Sequence, residues 1–337
     1  MKKLLCLFLL TGLLLLAACG EETSSSTEEG AAETKVMKLA VATSKDRSLT
    51  QGLYKFEEIV EKETNGSIEI EVYPDGQLGG DRVVFEGLKI GSIQGTTMST
   101  GPVASFASRF TVFDLPYLFK DEAAAYEVLD GPIGEELLND LPEQGVIGLN
   151  YWENGFRQLT NNVREVKTVD DIKGLKIRTL ENELHVDMWK ELGANPTPIP
   201  YPELFTALEQ RIVDGQENPA GNITTGNFYE VQKYLTKTNH IYNASVFMIS
   251  EKFWNKLSDE EKEIVTKAAE EARDYQRELN QQESQEAYDF LAAEGMVVTE
   301  LSEEEQQKMF ETVQPVYEKY SSEIGEEFVN KLLEAAK

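Results

Sequence analysis

The chain has 337 residues, with 60 acidic against 32 basic side chains and a formal net charge of -28. This excess of negative charge argues against a nucleic-acid partner. It also repels anionic ligands at long range, so a bound anion needs cationic groups that contact it directly and are shielded from water. About three hundred residues beyond the N-terminal segment are enough for a core divided between two lobes.

Residues 1–18 have the layout of an export signal, with Lys2 and Lys3 before an apolar run too short to span a membrane. The ending LAAC resembles the lipobox of bacterial lipoproteins, which implies cleavage before Cys19 and a lipid on its sulfur. An ordinary signal peptide with a chance cysteine is the alternative. Residues 19–35 then predict a lipidated cysteine and a flexible tether, and Cys6 leaves with the signal, so the exported body has no disulfide. We therefore expect an extracytoplasmic protein, lipid-anchored to the cell membrane.

Residues 36–337 alternate short β-rich runs with helical patterns, which predicts an α/β fold. Three strands are predicted in the first part, from the runs VMKLAVAT (36–43), SIEIEVYP (67–74) and SIQGTTMST (92–100). Helices are predicted between them over 49–66 and 79–91, the second beginning near Asp81. Together they predict a complete βαβαβ unit.

A second unit is predicted from the strands VIGLNYW (146–152) and GLKIRTL (174–180), a helix over 183–193, an extended PTPIPY, a helix from Pro202 and the strand-like IVDGQE (212–217). Residues 257–295 begin with a capping box, Ser258 to Glu261, and predict one long helix that runs along both lobes. The expected first lobe comprises roughly 36–154 plus 243–260, and the second roughly 155–242 plus the C-terminal segments.

Two α/β lobes predict a ligand cleft between them, at the carboxyl ends of strands and near helix N-termini. Arg178 lies at such a strand end, Asn218 comes just past IVDGQE, and Arg157 follows the strand and turn LNYWENGFR. Asp81 lies at a helix start in the first lobe. A guanidinium offers parallel N–H donors that match the two oxygens of a carboxylate, so Arg178 is a candidate for binding a carboxylate; the alternative is a solvated arginine on a strand.

These residues also carry a family resemblance, through the segments YPDGQLGGDR, DLPYLF, YWENGFR, GLKIRT, LGANPTPIPYPELFTALEQRIVDGQENP and EVQKYL. Together they resemble the substrate-binding subunit of tripartite ATP-independent periplasmic (TRAP) transporters, of the dicarboxylate-binding type. The resemblance implies a two-lobed, periplasmic-binding-protein-like fold that closes on a small organic acid and delivers it to a membrane permease.

The resemblance also implies roles for individual residues. Arg178 would form a two-pronged ion pair with the ligand carboxylate, Arg157 would lend a second cationic contact, and Asn218 would hydrogen-bond the same carboxylate. Tyr201 would pack against the ligand body, and Asp81 would meet ligand hydroxyl groups from the opposite lobe.

The loop after the first predicted strand departs from the family, because it reads ATSKDRSLTQG where many relatives carry histidines. Lys45 or Arg47 in this loop is a candidate contact for a second carboxylate. The sequence therefore leaves open whether the ligand is a sugar acid such as a uronate or a short dicarboxylate.

Enzyme activity finds little support in the sequence. The two histidines are His185, inside the predicted helix over 183–193, and His240, just after KTN, so neither a triad nor a two-histidine metal site finds support. Each is expected to be a core or surface residue. No phosphate-binding GxxxxGK loop is present, and no cofactor or metal is expected. The alternative function is a receptor that reports its ligand to a sensor kinase, since the fold does not separate transport from sensing.

Overall fold

The computed structural model describes residues 34–337, and the predicted signal, Cys19 and nearly all of the predicted tether lie outside the described residues. The first strand begins at Lys35, where the tether was expected to end. Lys35 Nζ lies 2.8 Å from Glu261 Oε1, which fixes the start of the domain to the long C-terminal helix.

The elements follow one another as an alternation of strands and helices. The strands are β1 (Lys35–Ala40), β2 (Ile68–Tyr73), β3 (Gly95–Ser99), β4 (Val146–Asn161), β5 (Lys176–Thr179), β6 (Asn195–Pro198), β7 (Gly215–Pro219), β8 (Tyr234–Lys237), β9 (Tyr242–Ser250) and β10 (Val297–Glu300). The helices are α1 (Ser48–Glu63), α2 (Asp81–Ile90), α3 (Thr100–Val103), α4 (Glu122–Leu129), α5 (Pro132–Leu138), α6 (Glu183–Glu191), α7 (Leu204–Glu209), α8 (Ala220–Thr225), α9 (Glu251–Trp254), α10 (Asp259–Ala293), α11 (Glu303–Thr312), α12 (Gln314–Ile324) and α13 (Glu326–Ala335). No helix within residues 34–337 has the length and apolar character of a membrane span.

The strands form a mixed sheet in the order β2-β1-β3-β9-β4-β7-β5-β6, and β8 pairs with both β4 and β10. Strand β1 is parallel to β2 and β3, which confirms the predicted βαβαβ unit. We call β2, β1, β3, β9 and residues 146–156 of β4 the first sheet region. Residues 157–161 of β4 with β5 to β8 and β10 form the second sheet region, in which β5 is parallel to β6 and β7.

Strand β4 crosses from one sheet region to the other, and here the sequence prediction was wrong. The strand was expected to end at Trp152 and to be followed by a turn, but it continues to Asn161. Gly155 has φ +108°, and the pairing register with β9 shifts between Glu153 and Gly155. The segment ENG is therefore a β-bulge that bends the strand without ending it. Arg157 consequently lies inside β4.

Asn218 was also expected just past a strand, and that expectation was wrong as well. It lies inside β7, where it pairs with Gln158 of β4. Arg157 and Asn218 thus lie on neighbouring antiparallel strands, and Arg157 Nη2 lies 3.4 Å from Asn218 Oδ1.

The predicted long helix is confirmed as α10, 35 residues that begin at the predicted capping box. Ser258 N donates to Glu261 Oε2 at 2.7 Å, and Glu261 N donates to Ser258 Oγ at 3.1 Å. The first half of α10 packs on α1, and its second half contacts α8 and β10 of the second sheet region. A Cβ at Gly52 of α1 would lie 2.9 Å from Gln276 Cβ, so this glycine allows the two helices to approach closely.

Candidate functional site

The two sheet regions meet along a tight contact that explains the glycine-rich segment DGQLGG. Gly76 has φ +65°, and a Cβ at this position would lie 2.5 Å from Pro202 Cγ. A Cβ at Gly80 would lie 3.2 Å from Pro200 Cβ. On the other side of the contact, Asn182 Nδ2 donates to Gly101 O at 3.0 Å. Because they have no Cβ, the glycines let the backbone of the loop before α2 come into direct contact with Pro200 and Pro202 of the second region.

A cavity of about 30 Å³ lies between the two regions, enough for one or two water molecules. A molecule of four to six carbon atoms needs several times this volume, so it would enter only if the two regions moved apart. The cavity is lined mainly by hydroxyl, amide and carboxyl side chains together with a few apolar ones: Val41, Ala42, Thr43, Leu49, Asp81, Thr97, Met98, Ser99 and Asn154 from the first region, and Leu180, Tyr201, Asn218 and Asn222 from the second.

Arg178 is fully buried next to this cavity. Its Nε donates to Ile199 O at 2.7 Å, and its Nη1 has no hydrogen-bond partner among residues 34–337. Burial lowers the pKa of Arg178 to about 10; the charge of Glu217 opposes this shift and that of Arg157 adds to it. The guanidinium does not line the cavity itself, but its charge acts on Asp81 and Tyr201, which do. A buried cation with an unused donor is a site prepared for an anion.

Arg157 is buried to the same degree, but its nitrogens are occupied. Its Nε and Nη2 both bind the carboxylate of Glu217, the latter at 3.0 Å, and its Nη1 lies 2.9 Å from Asn243 Oδ1. His240 Nε2 adds a contact of 3.1 Å to Glu217. Burial disfavours the charge of Glu217, but Arg157 and the neighbouring histidines outweigh it and hold the pKa of this carboxyl well below its ordinary value. The positive charge of Arg157 is therefore balanced within the protein.

Asp81 and Tyr201 face the cavity from opposite regions. Asp81 is the first residue of α2 and is half-buried; burial raises the pKa of its carboxyl to about 6, although Arg178 lowers it. The buried Tyr201 hydroxyl has no hydrogen-bond partner among the described residues, and its ring packs edge-on against Phe228 with centroids 5.7 Å apart. Thr97 Oγ1 is likewise buried and unpartnered within the described part of the chain. These groups are available to hydroxyl or carboxylate oxygens of a ligand.

Asn218 completes the polar side of the cavity. Its Oδ1 accepts a hydrogen bond from Asn222 Nδ2 at 3.1 Å and a longer one from Arg157 Nη2 at 3.4 Å. Its Nδ2 donates to Gln216 Oε1 at 2.5 Å, which leaves one N–H of this amide for a ligand.

The structure does not present Lys45 or Arg47 as a free contact for a second carboxylate. Lys45 is exposed, whereas Arg47 is fully buried and forms an ion pair with Glu283. Its guanidinium also donates to Asn222 Oδ1 and Asn154 O, each at 2.7 Å. The charge of Arg47 is thus used inside the protein, and a contact from Lys45 or Arg47 to a second carboxylate stays a prediction.

The structure brings Asp81, Tyr201 and Asn218 together at the cavity, with Arg178 beside it and Arg157 paired with Glu217. Sequence reasoning missed Glu217, which stands next to Asn218 in the motif GQENP. This strand is polar in sequence, so nothing local shows that the carboxylate is buried against Arg157.

Asn154 and Asn222 were missed as well. The histidines are core residues as expected: His185 Nε2 lies 3.5 Å from Asp114 Oδ1, and His185 and His240 are both fully buried.

Comparison with known families gives a match over most of the chain. The model of the family described as bacterial extracellular solute-binding protein, family 7 (DctP), matches residues 39–323. Among curated relatives, the C4-dicarboxylate-binding protein DctB of Bacillus subtilis is 34% identical over 311 residues, which cover 92% of this chain and 89% of DctB.

Solved structures give the same result for the fold. The sugar acid binding protein DctPAm of Advenella mimigardefordensis, in complex with galactonate, is 42% identical, with a TM-score of 0.89 over 91% of this chain and 99% of that one. A TRAP periplasmic solute-binding protein from Polaromonas, bound to D-erythronate, is 37% identical, with a TM-score of 0.86 over 89% of this chain and 98% of that one.

Proposed function

Because the chain belongs to family 7 of the bacterial extracellular solute-binding proteins, the two-lobed binding subunits of TRAP transporters, we propose that it captures a small organic acid between its lobes and delivers it to the membrane permease. The unused Nη1 of the buried Arg178, beside a cavity that both sheet regions line, carries this proposal. The lobes we propose are roughly 36–154 with 243–260, and 155–242 with the C-terminal segments.

In the proposed complex Arg178 binds the ligand carboxylate, because its Nη1 gains the acceptor that the protein does not supply. Asn218 donates its remaining N–H to the same carboxylate. Tyr201 packs against the ligand body, and Asp81 accepts hydrogen bonds from ligand hydroxyl groups. Arg157 acts indirectly, since its N–H groups are bound to Glu217 and Asn243; its Nη2 lies 3.4 Å from Asn218 Oδ1 and helps to hold the amide that donates to the carboxylate.

The charge balance around the cavity favours one class of acid. Of the three buried arginines near it, Arg157 is paired with Glu217 and Arg47 with Glu283, which leaves Arg178 without a carboxylate hydrogen-bond partner among the described residues. The remaining lining groups are hydroxyls, amides and the carboxyl of Asp81. We therefore propose a monocarboxylic acid with several hydroxyl groups rather than a dicarboxylate, whose second charge would be buried without a partner.

Calorimetric titration with a matched pair of acids tests this proposal. Galactonate ends in a hydroxymethyl group, and galactarate has a second carboxylate in its place. D-erythronate and succinate are the corresponding shorter monocarboxylate and dicarboxylate. We expect galactonate or erythronate to bind at least about a hundredfold more tightly than the dicarboxylate of similar length, because an unpaired buried charge costs several kcal/mol. Tighter binding of galactarate or succinate would refute the choice of ligand class, and no binding of any of the four would refute the proposed function.

The proposed role is that of a receptor without catalytic activity, held at the outer face of the cell membrane by a lipid on Cys19. The comparisons give no support to the sensor-kinase alternative. Growth of cells with a labelled fatty acid tests the anchor: we expect label on the wild-type protein and none on the Cys19→Ser variant. Equal labelling of the two would show that the LAAC segment is not a lipidation site.

A further inference from the structure

Arg47 joins the two sheet regions from within. It precedes α1 in the first region, and its Nε donates to Asn222 Oδ1 of α8 in the second region at 2.7 Å. Its Nη1 faces Glu283 and, at 2.6 Å, Asn280 Oδ1, both on α10. Its Nη2 donates to Asn154 O at 2.7 Å. The contacts to Asn280, Glu283 and Asn154 are with α10 and β4, which run through both regions. The contact to Asn222 is therefore the one that links Arg47 to an element of the second region alone.

The sequence of α8 leaves room for this guanidinium. A Cβ at Gly221 would lie 2.9 Å from Arg47 Cζ and 3.0 Å from its Nη1, which is closer than side chains pack. The glycine next to Asn222 thus permits the guanidinium to approach, and an alanine there would push it away.

The hydrogen bonds from Arg47 fix the direction of two amide side chains in turn. An arginine only donates, so the atom of Asn222 that faces Arg47 is its oxygen, and its nitrogen faces Asn218. A nitrogen of an amide also only donates, so the atom of Asn218 that faces Asn222 is its oxygen. The Nδ2 of Asn218 is then directed elsewhere and donates to Gln216 Oε1, and Asn218 is one of the residues that line the cavity.

We propose that Arg47 is a positioning residue for ligand binding: when the lobes close, it orients Asn222, and through Asn222 it presents the Nδ2 of Asn218 to the ligand carboxylate. The inference rests on the proposed function. It assigns to a residue of the first lobe control over a hydrogen-bond donor of the second lobe, which operates only in the closed arrangement because lobe separation breaks the contact between Arg47 and Asn222.

A second donor acts on Asn218 Oδ1 and limits the size of the effect. Arg157 Nη2 reaches this oxygen at 3.4 Å, but the same nitrogen also binds Glu217 at 3.0 Å. The contact from Asn222 is shorter, at 3.1 Å, and its donor nitrogen has no other hydrogen-bond acceptor within residues 34–337. Loss of the Arg47 contact therefore weakens the orientation of Asn218 without abolishing it.

A double-mutant cycle between Arg47 and Asn218 tests the proposal. Arg47→Lys keeps the positive charge beside Glu283, but one amine does not reach Asn222 at the same time. We expect this change to weaken galactonate binding, measured by calorimetry, about tenfold in the wild-type background, as for the loss of one hydrogen bond to a charged group. In an Asn218→Ala background we expect the same change to weaken binding less than about twofold.

The result that would overturn the proposal is equal weakening in both backgrounds, because Arg47 would then act on lobe closure alone. Thermal unfolding without ligand checks that Arg47→Lys is folded; if it is not, Gly221→Ala replaces it, since this change displaces the guanidinium without removing any charge. D-erythronate replaces galactonate if only the shorter acid binds. If wild-type protein binds neither, the proposed function fails and the positioning role with it, whereas wild-type binding without coupling refutes only the positioning role.

Discussion

Replacing Arg178 by lysine separates the shape of the guanidinium from its charge. In the structure one nitrogen of Arg178 is held by Ile199 O at 2.7 Å and another has no partner within the described residues, so the side chain binds protein and ligand at once. A lysine amine does one or the other. Loss of a charge-assisted hydrogen bond costs about 1.5–3 kcal/mol, so we expect the Kd for galactonate to rise about 10- to 150-fold. Arg178→Met, which removes the charge as well, is expected to cost about 3–5 kcal/mol.

Arg178→Met weakens ligand binding, but we do not expect it to destabilise the ligand-free protein. Burial lowers the pKa of Arg178 to about 10, which corresponds to about 3 kcal/mol spent on keeping the buried guanidinium charged near neutral pH. A base whose pKa is lower in the folded state destabilises that state while it is charged. We therefore expect Arg178→Met to unfold at the same temperature as wild type or higher.

Calorimetry and thermal unfolding of the same samples measure both effects. The matched control is Arg82→Lys, a change at an exposed arginine next to Asp81, which we expect to alter the Kd less than about twofold. Wild-type affinity in Arg178→Lys would refute the reasoning, and so would a large loss of ligand-free stability in Arg178→Met, because Arg178 would then be a structural residue.

Two further predictions concern the carboxyl groups of the site. Lowering the pH from 8 to 5 is expected to weaken galactonate binding, because the Asp81 carboxyl, with a pKa of about 6, must be ionised to accept two hydroxyl donors; an equally steep pH profile in Asp81→Asn would contradict this role. Glu217→Gln leaves Arg157 buried without its carboxylate, and we expect urea unfolding at pH 7 to show a loss of about 3–5 kcal/mol, against little change for the exposed Glu209→Gln. Since the pKa of Glu217 is depressed by Arg157, its stabilisation is complete above about pH 4.5 and declines as the pH falls below that value, so the two proteins should converge in acid; a constant difference would argue against the ion pair.

The regular elements of this fold are readable from the sequence because their signals are local. The alternation of β-rich and helical runs predicted β1, α1, β2, α2 and β3 within a few residues, and the capping box at Ser258 predicted the start of α10. The continuation of β4 past Gly155 was not readable in this way. ENG reads as a turn, and only the pairing with β9 makes it a bulge.

The candidate site, too, was predictable from the sequence only in part. Motif resemblance directed attention to Arg178, Asn218, Tyr201 and Asp81, and the structure places three of them at the cavity and Arg178 beside it. Which arginine is free was not readable, since it depends on contacts between residues far apart in the chain. Arg157 is neutralised by Glu217, 60 positions away, and Arg47 reaches Asn222 across 175 positions.

A crystal structure with galactonate tests the central claim most directly. The account predicts the ligand carboxylate within hydrogen-bond distance of Arg178 Nη1 and Asn218 Nδ2, with the hydroxyl groups directed towards Asp81. A carboxylate bound elsewhere, with Arg178 Nη1 still unpaired or bound to a protein acceptor, would contradict it.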